Sequence, residues 1–112
     1  MVREEYWFEE GCYILELSNS ADDPEASIAR ARVPPGGTTR WHRVADTTER
    51  YVILEGRGRV EVGKRVPREV AAGDVVIIPR AERQRIANIG QNDLVFLTIC
   101  TPRFQPQHYQ EA

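Results

Sequence analysis

The sequence has 112 residues, of which 41% are hydrophobic and 29% charged, an ordinary composition for a globular protein that argues against a disordered chain. A chain of this length has room for one hydrophobic core, so we expect a single domain over residues 1–112. The formal charge of −2 argues against nucleic-acid binding, which needs a net basic surface.

The first residues are acidic and lead into no long apolar segment. We therefore expect neither a secretory signal nor contact with a membrane, and we expect a cytoplasmic location. The two cysteines, Cys12 and Cys100, lie too far apart to form a metal-binding or redox pair of the CxxC type. In a reducing cytosol they are expected to be free thiols.

Short apolar segments alternate with turn signals from the beginning of the chain. Residues 6–17 predict two strands that are separated at Gly11. Residues 26–33 alternate small or apolar side chains with arginine, as a half-buried strand does, and the prolines and glycines of residues 34–37 end that strand. An apolar run at residues 51–54 predicts a buried strand.

The same alternation continues through the second half of the chain. Further strands are predicted at residues 59–62, 66–71, 75–78, 84–89 and 94–100. Residues 101–112 contain two prolines and three glutamines, and we expect this tail to be irregular. No window shows a helical apolar stripe, and turn signals recur about every eight to twelve residues, so the sequence predicts an all-β sandwich or barrel.

The stretch from residue 37 to residue 56 carries the first candidate site residues. It holds His42 and, seven residues later, Glu49. Residues two apart on a strand lie on the same face. If the His42 side chain points inward, Arg40 and Val44 are predicted to point inward as well.

The same parity argument sorts the residues around two other polar positions. With Glu49 inward, Tyr51 and Ile53 also face the interior. With Gln84 inward, Ile86 and Asn88 share its face. This arrangement leaves the neighbouring arginines in water, as their charge requires: Arg43, Arg50, Arg83 and Arg85.

Two groups of these residues resemble the sequence motifs of a known family. Gly37, His42, Glu49 and Gly56 stand at the spacing of the first cupin motif, in which a second histidine occupies the place of Val44. The chain therefore resembles a small single-domain cupin. That resemblance implies the cupin double-stranded β-helix, a jelly-roll barrel, with residues 37–88 as the motif core.

The second cupin motif is also present in altered form. Gly73, Pro79 and Asn88 match it, Ala81 replaces a glycine, and Gln84 stands where a histidine is usual. In cupins the two motifs bring three histidines and a glutamate onto one metal ion inside the barrel.

The resemblance implies a divalent metal (Mn, Fe, Ni or Zn) held here by His42, Glu49 and Gln84. We expect weakened affinity, because a neutral amide oxygen is a poorer ligand than an imidazole nitrogen for these metals. The other imidazole of the chain is that of His108, in the tail.

These residues leave two functions open. One is a metal-assisted isomerase or cyclase that acts on a small polar or anionic molecule held by Arg40, Tyr51 and Asn88, with Glu49 as the catalytic residue or a free base. The other is a non-catalytic cupin that binds a metabolite or a sugar. His42 and Glu49 could also form a buried ion pair beside Gln84 without any metal.

Two further features have alternative interpretations. Cys100 could be a nucleophile, but a small buried side chain is the interpretation that we favour, because no orienting third residue is evident. The aromatic strand at residues 6–8 resembles an edge strand that pairs with another subunit, which predicts a homodimer. Trp41, next to His42, is expected to face outward.

Overall fold

The structure is a computed structural model that describes residues 4–112. Within these residues there is no α-helix, and no helix long and apolar enough to cross a membrane. A single 3₁₀ turn covers Pro106–His108. The strands are β1 (Tyr6–Phe8), β2 (Cys12–Ser18), β3 (Ser27–Val33), β4 (His42–Val44), β5 (Thr48–Glu55), β6 (Arg57–Val62), β7 (Arg68–Ala71), β8 (Val75–Ile78), β9 (Gln84–Asn88), β10 (Leu94–Thr101) and β11 (Tyr109–Glu111).

The strands form two antiparallel sheets that enclose the core, which is the jelly-roll arrangement expected from the sequence. One sheet has the order β1-β2-β3-β10-β5-β8 and the other the order β11-β4-β9-β6-β7. Both sheets direct apolar side chains inward, among them the fully buried Ile53, Ile86, Leu94 and Phe96. Inward residues alternate with outward ones along each strand, so one face of each sheet is covered by the other sheet.

The predicted parity is confirmed on the two strands that carry most of the polar site. On β5, Glu49, Tyr51 and Ile53 are buried. On β9, Gln84, Ile86 and Asn88 are buried, and Arg83 and Arg85 lie outside the core. Trp41 also faces outward and is covered by the guanidinium groups of Arg83 and Arg85, at 3.7 and 4.6 Å from its ring centroid.

Gly56 closes the first motif for a steric reason. It lies between β5 and β6 with φ at +86°, a conformation that side chains with a Cβ rarely adopt. A Cβ atom there would lie 2.5 Å from the carbonyl oxygen of Asp93. This glycine therefore allows β5 to turn into β6 against the start of β10.

The prediction of an irregular tail was wrong for residues 109–111. Residues 109–111 form β11, which pairs with β4 so that Tyr109 lies opposite Val44 and Glu111 opposite His42. Backbone bonds from Ala45 to the His108 carbonyl and from Ala112 to the Trp41 carbonyl extend the contact. Three residues are too few to show an alternating pattern in the sequence. The strand is formed by pairing with the edge of β4, a contact between segments far apart in the chain.

Candidate functional site

His42 begins β4 and lies almost completely buried, with 2% of its side chain exposed. Its Nδ1 atom lies 2.8 Å from the carbonyl oxygen of Arg40, and its Nε2 atom lies 2.9 Å from a carboxylate oxygen of Glu10. Both acceptors call for a proton on the nitrogen that faces them, which favours the imidazolium form. Burial alone would lower the pKa of His42, but the hydrogen bond and the charge of Glu10 outweigh it and raise that pKa.

The partner of His42 is therefore Glu10, which the sequence analysis missed. Glu10 lies in the turn between β1 and β2, where Gly11 takes φ at +108° and donates its N–H to the carbonyl of Phe8. The Arg40 amide donates to the Glu10 carbonyl at 2.7 Å and fixes the turn beside β4. The only local signal is an acidic residue before a turn glycine, a position that is usually solvated.

Glu49 is also buried, and one of its two carboxylate oxygens is held by a hydrogen bond. Its Oε1 atom accepts a hydrogen bond of 2.8 Å from the amide nitrogen of Gln84, and the Gln84 amide oxygen accepts one from the Tyr51 hydroxyl. Its Oε2 atom has no hydrogen-bond partner among residues 4–112. Burial, together with the negative charge of Glu10, raises the pKa of Glu49 to about 7, although His42 and Gln84 act in the opposite direction.

The tail contributes an aromatic cover to this site. The ring of Tyr109 on β11 stacks on the His42 imidazole, with 5.2 Å between centroids and 16° between planes. It also meets the ring of Phe8 edge-on at 5.3 Å. Because the tail was expected to be irregular, sequence reasoning did not include Tyr109 in the site.

These side chains surround a cavity of about 300 Å³ between the sheets. His42, Glu49 and Tyr51 all line it, as do Glu10 and Tyr109. The volume lies at the small end of the range for ligand pockets. The cavity therefore has the size of a site for a small molecule and carries an acid–base group at its wall.

Two residues predicted to hold the substrate lie elsewhere. The side chain of Arg40 is 63% exposed and pairs with Glu111 at 3.4 Å, so its predicted inward orientation was wrong. Residue 40 precedes β4, and strand alternation does not extend to it. Asn88 is buried but does not line the cavity: its amide donates to the carbonyls of Val33 and Asn92, both at 2.8 Å. Its side chain stabilises the end of β9.

The arrangement does not fit a divalent metal. Both ring nitrogens of His42 are engaged, and the amide oxygen of Gln84 accepts from Tyr51. Val44, in the place of the second histidine, is buried and offers no donor atom. Nowhere in residues 4–112 do three His, Cys, Asp or Glu side chains converge as metal ligands. His108 lies 3.4 Å from Asp46, apart from this cluster.

Cys100 lines the same cavity, and both cysteines are free and buried. Burial and the negative charge of Glu49 raise the pKa of the Cys100 thiol far above its usual range. The thiol is therefore protonated at neutral pH, which agrees with a small buried side chain rather than a nucleophile.

Comparison with known proteins assigns the family. The family described as "Cupin domain" matches residues 29–100, well over half of the chain. This chain belongs to the cupins. It is 39% identical over 85 residues to the oxalate-binding protein of Thermotoga maritima, a match that covers 74% of this cupin and 69% of that protein.

Solved structures agree with the fold. A predicted oxalate decarboxylase of Thermotoga maritima superposes on this cupin with a TM-score of 0.76 and 28% identity, over 89% of this chain and 91% of the other. Pac13 of Streptomyces, a nucleoside dehydratase, superposes with a TM-score of 0.81 over 98% of this chain and 84% of the other. At 16% identity the second similarity shows only the shared fold.

Proposed function

We propose that this cupin is an enzyme that transfers a proton to and from a small polar molecule bound in the cavity, with Glu49 as the acid–base group. The observation that carries the proposal is the state of Glu49: it is buried, has a pKa of about 7, and has one carboxylate oxygen without a protein donor at the cavity wall. A general base works best when its pKa lies near the working pH.

The neighbouring residues have supporting roles in this proposal. Gln84 binds Oε1 of Glu49, so Oε2 is the atom that meets the ligand. Tyr51 fixes the orientation of the Gln84 amide by donating to its oxygen. The charge of His42 lowers the pKa of Glu49, but the charge of its partner Glu10 raises it by more, so the pair helps to keep this pKa above its ordinary value. Removal and return of a proton at such a group is a step in many isomerisations, cyclisations and ring openings.

A second candidate is a cupin that binds a metabolite without turning it over. One observation favours it: both ring nitrogens of His42 are engaged, so this imidazole has no free nitrogen with which to assist Glu49 in proton transfer. Many acid–base reactions use two groups on opposite sides of the substrate. Relatives named for oxalate and a fold neighbour that acts on nucleosides support a small molecule as ligand in either case.

The state of Glu49 tests the proposal directly. In protein labelled with ¹³C at the glutamate carboxyls, we expect one signal to titrate with a midpoint near pH 7 and to disappear in Glu49→Gln. In ²H₂O, the wild-type protein is also expected to catalyse the replacement of a carbon-bound hydrogen by deuterium in one or more small hydroxyketones. A Glu49 midpoint near the ordinary value of 4.5 would contradict the proposal. A midpoint near 7 without exchange of any compound would favour the binding protein.

Metal content gives a separate test, because the divalent metal implied by the cupin motifs is the alternative source of catalysis. We expect protein purified from medium containing Mn, Fe, Ni and Zn to carry much less than one metal ion per chain. Val44→His combined with Gln84→His adds two imidazoles to the positions that the motifs reserve for them, and we expect this variant to bind metal more tightly. Stoichiometric metal in the wild type that is lost in His42→Ala would show that His42 is a ligand after all.

We further propose that the protein forms a homodimer through β1. This strand is an edge of the six-stranded sheet, and its Tyr6 and Trp7 are 45% and 56% exposed. An exposed aromatic edge strand favours pairing with another chain. The cytoplasmic location also stays a prediction.

A further inference from the structure

The cavity has an excess of negative charge. Three carboxylates line it, those of Glu10, Glu16 and Glu49, and the one cationic side chain among its described lining residues is His42. Because His42 is paired with Glu10, the carboxylates of Glu16 and Glu49 have no cationic partner within residues 4–112. Arg40, the arginine expected to bring positive charge here, points into solvent instead.

Aromatic side chains make up much of the rest of the wall. Six line the cavity: Tyr6, Phe8, Tyr51, Phe96, Phe104 and Tyr109. The faces of aromatic rings attract cations, and the attraction is strongest where water is excluded. Aromatic walls combined with carboxylates therefore favour a ligand with a positive charge and an apolar body.

The Oε2 atom of Glu49 is open to a donor from the cavity. Glu49 is 8% exposed and lines the cavity, and its Oε2 atom receives no hydrogen bond from residues 4–112. A protonated amine supplies up to three N–H donors together with the opposite charge. Glu16, which accepts from the Tyr6 hydroxyl at 3.2 Å, can receive a second contact from the same cation.

We infer that the ligand of this cavity is an organic cation, a protonated amine on a small apolar or aromatic body. The inference rests on the proposed function only in that both take this cavity as the ligand site. It also separates this chain from a simple oxalate binder, because a dianion would face two carboxylates that have no cationic partner among residues 4–112. The name of the Thermotoga relative therefore does not predict the ligand here.

A matched series of probes tests the ligand class. Benzylamine, benzyl alcohol and benzoate share one ring and differ in charge, and their binding can be measured by calorimetry at pH 8 and low salt. We expect benzylamine to bind about tenfold more tightly than benzyl alcohol, from one favourable charge interaction at a partly shielded site. We expect benzoate and oxalate to bind more weakly than benzyl alcohol.

Single substitutions assign the effect to the cavity. Glu16→Gln is expected to weaken benzylamine binding about threefold to tenfold, because the cation loses an attractive charge interaction. The affinity for benzyl alcohol should not change, because this probe is neutral. Glu69→Gln is the control, because this substitution removes the same charge at an exposed position on β7 that does not line the cavity. We expect that variant to bind all probes as the wild type does.

Three results would overturn the inference: equal affinity for the amine and the alcohol, tighter binding of benzoate or oxalate, or no binding of benzylamine at millimolar concentration. The outcome is independent of proton transfer. A Glu49 midpoint near 4.5 would refute the acid–base proposal while leaving a preference for benzylamine intact. A midpoint near 7 with no preference for the amine would refute only the ligand class.

Discussion

Glu49→Gln should stabilise the folded protein at pH 8 while it slows proton transfer by orders of magnitude. Burial and the charge of Glu10 raise the pKa of Glu49 from 4.5 to about 7 in the folded state. The folded state therefore binds more protons than the unfolded chain between these values, and the free energy of unfolding falls as pH rises through them. At 1.4 kcal/mol per pH unit, ionised Glu49 costs about 3 kcal/mol at pH 8. Glutamine is neutral at every pH and does not pay this penalty.

Urea unfolding at pH 5 and pH 8 measures this effect. We expect Glu49→Gln to exceed the wild type by about 3 kcal/mol at pH 8 and by about 1 kcal/mol or less at pH 5. Glu69→Gln, at an exposed site, should match the wild type at both pH values. For a compound that the wild type labels, the rate of deuterium incorporation at carbon should fall roughly 100- to 10,000-fold in Glu49→Gln, which is the usual contribution of an acid–base group. A variant that is less stable than the wild type at pH 8 would show that Glu49 is instead held as a satisfied anion.

His42→Ala is expected to destabilise the protein by roughly 3 to 5 kcal/mol at pH 6, because it leaves Glu10 as an unpaired carboxylate in a largely buried position. The two side chains are 2% and 13% exposed. His42 has a raised pKa, so the stability that its charged form contributes is fully present below 6.5 and is lost as pH rises through the folded-state value. Loss of the imidazolium should also raise the pKa of Glu49 above about 7.

A double-mutant cycle with Glu10→Gln isolates the interaction, since the loss of packing in His42→Ala is common to both backgrounds. The chain offers a matched control in its other histidine–carboxylate pair, His108 and Asp46, which are 29% and 68% exposed. We expect a coupling of about 1 kcal/mol or less for that exposed pair and a clearly larger one for His42 and Glu10. Equal coupling energies would mean that the buried pair is not ionic.

The sequence predicted the fold and part of the site because both depend on local patterns. Strand alternation and turn glycines fix which side chains face inward, and this sufficed for Glu49, Tyr51 and Gln84. The motif spacings likewise follow from turn geometry, as the position of Gly56 illustrates. These features are encoded within a few residues of one another.

The remaining site residues depend on contacts between distant segments. Glu10 reaches His42 from a turn whose position is set by pairing of β1 with β2, and Tyr109 reaches it because β4 has a free edge. Arg40 was misplaced for the related reason that the strand begins only at His42, so parity could not be carried back to it. The same contacts explain why the site does not fit the metal implied by the motifs, since the Glu10 carboxylate lies against the His42 ring nitrogen that a metal would need.

The pairing of β11 with β4 also bears on how the protein acquires its site during translation. Residues 42–44 are synthesised well before residues 109–111, so β4 cannot gain its β11 neighbour, nor the His42 ring its stacked cover, until residue 109 has been made. Synthesis is slow compared with the formation of local β-structure, so this interval lasts for seconds. Docking of β11 therefore completes the burial of the His42 ring and, with it, part of the desolvation that acts on the pKa of this group.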